Sequence, residues 1–252
     1  MVAQMSQRRY ERLVARLDAL SRRDGIEVDD VYVIRRSGYA LPFFVVRTGP
    51  NDIRRICISA GVHGDEPAGV EAVLSYLERP LPQQGVGIVA LPCVNPIGFI
   101  AGTRTNDLGV DLNRTFGQPH APLEAEIVRA AIKGERFDCA LDLHEDTEAR
   151  GFYVYEHVRG DVRSRCAAIV AAVRAIGLPI SDAPTVEGRP LVDGCVTPAE
   201  EALSPLVGFF SIYQFDRHSD HTLVPESPSI LPMQARVAMH HAAIDLIIAS
   251  LR

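Results

Sequence analysis

The stretch RICISAGVHGDEPAG, residues 55–69, runs from an apolar segment into a glycine, a histidine and two acids. The apolar part predicts a buried strand, and residues 66–77 predict a helix whose first turn holds Pro67, where a missing N–H costs little. His63 and Glu66 lie three residues apart between these elements. The spacing suits metal binding, but a structural loop histidine followed by a helix-starting acid gives the same pattern. The stretch taken alone leaves both interpretations open.

Strands and helices alternate along the chain. Two apolar segments around Gly38 predict an antiparallel hairpin, and residues 139–143 (CALDL) are apolar on both faces, as in a central parallel strand. Further strands are predicted at residues 54–62, 85–96, 136–146 and 151–158, and helices at residues 5–22, 66–77, 123–133, 161–176 and 231–251. We therefore predict an α/β fold with a mixed, largely parallel central sheet flanked by helices. A single catalytic domain is expected over residues 1–252.

Three segments near the C-terminal end have ambiguous patterns. Residues 178–205 are punctuated by Gly and Pro and show no periodicity, so we expect them to shape a pocket. The segment SIYQF, residues 211–215, reads as a core strand. VPESP, residues 224–228, is rich in turn formers, and by itself it predicts that Glu226 is a solvated loop acid.

Composition argues against several classes of function. The 252 residues include 26 Lys or Arg and 32 Asp or Glu, giving a net charge of −6, and no basic cluster marks a nucleic-acid footprint. No apolar run approaches the roughly 18 residues of a membrane span. The N-terminus lacks the apolar core of a signal peptide. A cytoplasmic protein without nucleic-acid or membrane partners is therefore expected, and its oligomeric state is left open.

The five cysteines form no CxxC pair, and three of them lie within apolar, strand-like runs. This pattern predicts buried free thiols, and hence a reducing compartment.

Polar clusters follow three of the predicted strands. In open α/β sheets, ligands gather outside the carboxyl ends of the strands, so these clusters are expected to share one site. His63 and Glu66 follow the strand at 54–62, and His144 ends the strand at 136–146. Two histidines and one carboxylate form the protein part of a catalytic zinc site, which leaves one position for water.

Four motifs, taken in order, identify a family. HGDE at 63–66, GVDLNRTF at 109–116, LDLHED at 141–146 and VPESP at 224–228 resemble the zinc carboxypeptidases of the carboxypeptidase A type. They also resemble the related succinylglutamate desuccinylases and aspartoacylases. The resemblance implies the same α/β fold and one zinc ion per chain.

The resemblance also implies a role for each matching residue. It makes His63, Glu66 and His144 the zinc ligands, Glu226 the carboxylate that activates water, and Asp111 the acid that orients the first histidine.

Four further roles concern the substrate. The resemblance implies that Asn113 and Arg114 bind its free carboxylate, since a guanidinium is a bidentate, permanently charged donor. It implies that Arg104 polarises the scissile carbonyl and that Tyr213 closes over the substrate. From the residues alone, Arg104 also reads as a surface arginine. The pair in HSDH, His218 and His221, is a rival metal pair or a loop lining the pocket.

The resulting hypothesis is a zinc metallocarboxypeptidase that hydrolyses a C-terminal peptide or amide bond next to a free carboxylate. The alternative is an N-acyl amino acid deacylase that uses the same zinc site. The expected substrate is accordingly a small peptide or an N-acyl amino acid. A non-catalytic binding protein is a third possibility, against which the intact set of ligands and base argues.

Overall fold

The protein is described by a computed structural model over residues 2–49, 54–80, 85–196 and 208–252, with side chains from residue 8 onward. The strands are β1 (Ile26–Arg36), β2 (Tyr39–Thr48), β3 (Arg54–Ala60), β4 (Val86–Leu91), β5 (Cys139–Asp146), β6 (Tyr153–Val158), β7 (Thr185–Val186), β8 (Arg189–Pro190), β9 (Cys195–Val196) and β10 (His221–Pro228). The helices are α1 (Val2–Leu20), α2 (Pro67–Leu77), α3 (Pro96–Ala101), α4 (Leu123–Ala131), α5 (Cys166–Ala175), α6 (Phe210–Arg217) and α7 (Met233–Leu251).

An eight-stranded mixed sheet forms the centre, in the order β1-β2-β4-β3-β5-β10-β6-β9. Its core is parallel, because β3 pairs in parallel with β4 and β5, and β10 pairs in parallel with β5. The hairpin β1–β2, the β2–β4 pair and the β10–β6 pair are antiparallel. The predicted α/β class with a mixed, largely parallel sheet is confirmed.

The hydrophobic pattern explains the centre of the sheet. Strand β5 is buried along its length until Asp146, because helices cover both faces of a central parallel strand. Helices α2 and α7 pack on each other beside the sheet, while α6 packs against β5 and β10. In the part of the chain that the structure describes, no helix is both long and apolar enough to cross a membrane.

Two local assignments from the sequence were wrong. SIYQF lies in helix α6, where Phe210, Tyr213 and Gln214 are buried at helical spacing. VPESP is not a loop but the last part of strand β10, and Glu226 is aligned with His144 on β5. The tertiary context overrides its turn-forming composition, because β10 lies between two strands that satisfy most of its backbone.

The cysteine prediction needs a correction. Cys57, Cys93 and Cys139 are free and buried, as expected. Cys166 and Cys195 form a disulfide that joins the start of α5 to β9, so the argument for a reducing compartment loses its premise. Within the unassigned segment 178–205, the short strands β7 to β9 follow one another, and residues 197–205 lie outside the described residues.

Candidate active site

Three side chains from different elements meet at the carboxyl end of the sheet. His63 lies in the turn after β3, Glu66 occupies the N-cap of α2, and His144 is near the end of β5. All three are buried, and their potential ligand atoms lie within 4.8 Å of one another. The turn needs Gly64, because a Cβ there would lie 2.0 Å from the backbone of Gly98 in α3. The structure thus brings together the three residues that the sequence singled out.

The orientation of both imidazoles is set by carboxylates behind them. The Nε2 atom of His63 lies 3.2 Å from Oδ1 of Asp111, and the Nε2 atom of His144 lies 3.1 Å from Oδ2 of Asp142. The two Nδ1 atoms face the carboxylate of Glu66, at 2.6 and 2.8 Å. An imidazole that donates its Nε2 proton presents an unprotonated Nδ1, so two lone pairs and a carboxylate point at one another. Two imidazole nitrogens and a carboxylate form an N/O donor set that fits a divalent metal such as zinc.

Neighbouring charges shift the pKa values of the two acids and of His144 in this site. Burial opposes ionisation of Glu66, but the neighbouring His144 and His63 outweigh it and lower the pKa of Glu66. Burial also opposes protonation of His144, yet Asp142 and Glu66 raise its pKa well above the usual range. The pKa of Asp111 is lowered, because the hydrogen bond from His63 and nearby positive charges outweigh burial. The site thus favours carboxylates that are ionised beside a positive charge.

Two acids in this network were not singled out from the sequence. Asp142 is fully buried, and its Oδ1 accepts a hydrogen bond of 2.7 Å from the hydroxyl of Ser59. Glu145 donates its backbone N–H to Oε2 of Glu66 at 3.1 Å, while its own carboxylate accepts from Ala68 N and pairs with Arg236. In the sequence, the D-x-H pattern at residues 142–144 could have indicated Asp142, because residues two apart on a strand share one face.

Glu226 lies on β10, the strand next to the one that carries His144. It is aligned with His144 of β5 on one side and with Tyr153 of β6 on the other. Burial raises the pKa of Glu226 well above the usual range, and the charges of Glu66 and Asp146 act in the same direction, against that of His144. A carboxylate with a raised pKa is suited to accept and return a proton near neutral pH.

The loop after α3 brings three of the predicted polar residues to the same place. Arg104 Nε donates to Oδ2 of Asp111 at 3.1 Å, and its Nη1 lies 3.7 Å from Oε1 of Glu66. Arg114 is partly exposed, with its guanidinium 4.0 Å from the ring centre of Phe209 and 3.9 Å from Asp111. Each arginine thus keeps donors available beside the histidine cluster.

Asn113 connects this loop to helix α6. Its Oδ1 accepts the backbone N–H of Phe210 at 2.8 Å. Because a backbone N–H must face an oxygen, this contact fixes the orientation of the amide and leaves Nδ2 as its other end. Asn113 and Arg114 line the same cavity, which has a volume of about 660 Å³ and also contains His63, Glu66 and Glu226.

Tyr213 does not join the cluster. It is buried on α6, with its ring 6.2 Å from that of Phe116 and 5.3 Å from that of His218, and it is not among the residues lining the cavity. Because Tyr213 does not line the cavity, its position does not fit the expected role of closing over the substrate. Residues 212–214 (IYQ) are part of helix α6. Tyr213 packs into the core beneath this helix, whereas Phe209 lines the cavity.

The histidines of HSDH have separate partners and do not form a metal pair. His218 Nδ1 lies 2.9 Å from the carbonyl of Glu135, and His221 Nε2 lies 2.8 Å from the carboxylate of Glu156. His221 begins β10, at the opposite end of the strand from Glu226. Among the described residues, the triad His63, Glu66 and His144 is the one group with metal-ligand geometry.

Comparisons with known proteins indicate the family and the fold of this chain. The model of the succinylglutamate desuccinylase/aspartoacylase catalytic domain matches residues 52–186. Carboxypeptidase SOL1 of Arabidopsis thaliana is 28% identical in an alignment of 143 residues that covers 47% of this chain and 29% of that protein. Succinylglutamate desuccinylase of Burkholderia thailandensis is 39% identical in an alignment of 103 residues that covers 39% of this chain and 28% of that protein. The chain thus matches less than a third of either relative's length.

The fold likeness extends over more of the chain. A structure from Shewanella amazonensis, provisionally assigned as a metallopeptidase, superimposes with a TM-score of 0.80 at 22% identity and covers 96% of this chain and 92% of that chain. The carboxypeptidase-like fold and the resemblance inferred from the four motifs are confirmed.

Proposed function

Because the chain belongs to the succinylglutamate desuccinylase/aspartoacylase catalytic-domain family, a family of hydrolases, we propose that it is a zinc-dependent metallocarboxypeptidase. It would hydrolyse a C-terminal peptide or amide bond next to a free carboxylate. The observation that carries this proposal is the pair of Nδ1 atoms facing Glu66, with Glu226 on the neighbouring strand. We assign His63, Glu66 and His144 as the ligands of one zinc ion per chain.

The three zinc ligands, Glu226 and Arg104 have separate roles in this reaction. Zinc held by the triad would polarise the scissile carbonyl and lower the pKa of water. Glu226 takes a proton from the attacking water and returns it to the leaving nitrogen. The guanidinium of Arg104, which Asp111 holds beside Glu66, stabilises the negative charge that develops on the carbonyl oxygen.

Arg114 and Asn113 supply recognition of the free carboxylate. The Arg114 guanidinium packs over Phe209 at the cavity wall, and the contact from Phe210 holds the Asn113 amide. A planar fork and an amide N–H together match the geometry of a carboxylate. This arrangement supports hydrolysis next to a free carboxylate rather than general amidase activity.

The alternative function is that of an N-acyl amino acid deacylase with the same zinc, base and carboxylate site. The matching family model and the desuccinylase relative favour this alternative. The two functions differ in what lies on the acyl side of the scissile bond. Comparing dipeptides with N-acyl amino acids that release the same residue would separate them.

The test of the proposal uses a matched pair of substrates, one with a free carboxylate and one with that group amidated. We expect the zinc-loaded parent to prefer the free acid by more than about tenfold, because a hydrogen bond to a charged group contributes about 1.5 to 3 kcal/mol. An Arg114→Met variant should lose most of this preference and keep its zinc. Equal kcat/KM values for both substrates in the parent would contradict the proposal.

A second measurement tests the metal. Elemental analysis should find about one zinc per chain in the parent and a loss of zinc in His63→Ala and His144→Ala. Zinc retained in both variants would show that the ion is bound elsewhere.

A further inference from the structure

A second cavity lies at the edge of the sheet where the parallel strands begin, opposite the catalytic edge. Arg54, Cys139 and His221, the first residues of β3, β5 and β10, all line it. His144 lies five residues after Cys139 on β5, and this spacing corresponds to roughly 17 Å at about 3.3 Å per residue. The second cavity has a volume of about 400 Å³, and none of the described residues lines both cavities. It is therefore separate from the site that holds the triad.

Arginines outnumber acids in the wall of this second cavity. Four arginines and two aspartates belong to its lining: Arg54, Arg136, Arg163, Arg165, Asp138 and Asp220. Both aspartates already have an arginine partner. Arg54 Nη1 donates to Oδ1 of Asp138 at 2.8 Å. Arg136 Nη2 donates to Oδ2 of Asp220, also at 2.8 Å. The two acids thus balance the charge of two of the four arginines.

The other two arginines of this cavity, Arg163 and Arg165, are not compensated. Among the described residues, neither guanidinium has a carboxylate within ion-pair distance. The carboxylate of Glu156 is fully buried and has other partners. It accepts the backbone N–H of Arg165 at 2.6 Å and the hydroxyl of Ser164, and it lies 2.8 Å from Nε2 of His221. These contacts hold the backbone before α5 in place, while both arginine side chains line the cavity. The cavity therefore keeps two positive charges that a ligand can balance.

Apolar side chains form another part of the wall. Phe137 and Ile247 are buried, whereas Val162 is an exposed apolar side chain, and all three line the second cavity. Ligand pockets combine such apolar surface with a few polar or charged groups, and their volumes are roughly 300 to 1,000 Å³. A cavity of about 400 Å³ is thus suited to a small molecule that carries both an anionic and an apolar part.

We propose that the second cavity binds a phosphorylated small molecule, whose phosphate pairs with Arg163 and Arg165. A guanidinium is a planar, permanently charged donor that can bind phosphate oxygens through two N–H groups. A phosphate monoester carries a charge of about −1.5 to −2 near pH 7, which matches two uncompensated arginines, whereas a carboxylate supplies a single charge. This inference does not rest on the proposed function, because the catalytic residues lie in the other cavity.

The test is isothermal titration calorimetry with phenyl phosphate, and with benzoate as the aromatic probe that carries a single charge. Both titrations are done at constant ionic strength, because salt screens exposed charges. We expect the parent to bind phenyl phosphate saturably and at least about tenfold more tightly than benzoate. Arg163→Met and Arg165→Met should each weaken the binding of phenyl phosphate by about tenfold or more, the scale of a hydrogen bond to a charged group. The control is Arg174→Met, an exposed arginine of α5 outside both cavities, which should bind like the parent.

Two further variants separate this cavity from the catalytic one, whose zinc and arginines can also attract a phosphate. Arg114→Met and His63→Ala should both bind phenyl phosphate as tightly as the parent. The proposal would be overturned by a parent that binds neither probe, or by equal affinities for the two probes. It would also be overturned by weaker binding in Arg114→Met or His63→Ala together with parent-like binding in Arg163→Met and Arg165→Met. The titrations do not depend on turnover, so any of these results would leave the proposed function standing.

Discussion

Replacing Asp142 by asparagine isolates the electrostatic contribution of one buried acid to metal binding. The side chain is fully buried between two contacts, His144 Nε2 at 3.1 Å and the Ser59 hydroxyl at 2.7 Å. Asparagine has nearly the same shape. Its amide oxygen can still accept from His144, and its NH₂ group can donate to the Ser59 hydroxyl, which turns to accept. The main change is the loss of a negative charge, which makes Nδ1 of His144 a weaker ligand.

The expected magnitude follows from this geometry. Loss of a carboxylate behind a metal-ligating histidine typically weakens metal binding by about 10- to 100-fold, which corresponds to roughly 1.4 to 2.7 kcal/mol. The assay is equilibrium competition for zinc between the protein and a chelator of known affinity. Ser59→Ala is the matched control, because it removes the other contact of Asp142 but keeps the charge. Its effect on zinc affinity should stay within about fivefold, because the negative charge behind His144 is kept.

Two results would refute this reasoning. One is an Asp142→Asn protein that is folded and binds zinc as tightly as the parent. The other is a Ser59→Ala protein that loses as much affinity as Asp142→Asn, since that would make the packing of the acid, rather than its charge, the important feature.

Three further predictions follow from the site, the cysteines and the buried histidines. Glu226→Gln should keep its zinc and lose about 100- to 10,000-fold in kcat, because an amide cannot accept the proton; near-parent turnover in the metal-replete variant would return this residue to a passive role. Protein denatured without reductant should expose three reactive thiols, and five after reduction, because Cys166 and Cys195 are bonded; five thiols before reduction would exclude the disulfide. Burial lowers the pKa of His240 to about 3, so the imidazole stays unprotonated in the folded state, whereas in the unfolded state it takes up a proton near the ordinary histidine pKa of about 6.5. Stability present at neutral pH is therefore lost as the pH falls below about 6.5, by about 1.4 kcal/mol per pH unit for this group. Urea unfolding at about pH 7 and about pH 5 should show a steeper loss for the parent than for His240→Gln, and equal losses would contradict the assignment.

The sequence alone was sufficient for the metal-ligand candidates and the fold class. Both depend on patterns that are local in the chain. The apolar run before HGDE and the run before His144 predict strands of a largely parallel sheet, and polar residues at the carboxyl ends of such strands emerge at the same edge. The structure places these two strands side by side. The order of the four motifs then identified the family, and the matching family model confirmed it.

Other features were decided by tertiary structure, because their causes lie far apart in the sequence. VPESP becomes a strand because β5 and β6 flank it, and Tyr213 turns into the core because α6 packs on the sheet. Cys166 and Cys195 pair because β6 and β9 bring their segments together. Local sequence patterns predict the type of each segment and the motif it carries. Packing between distant segments determines which of their residues come into contact.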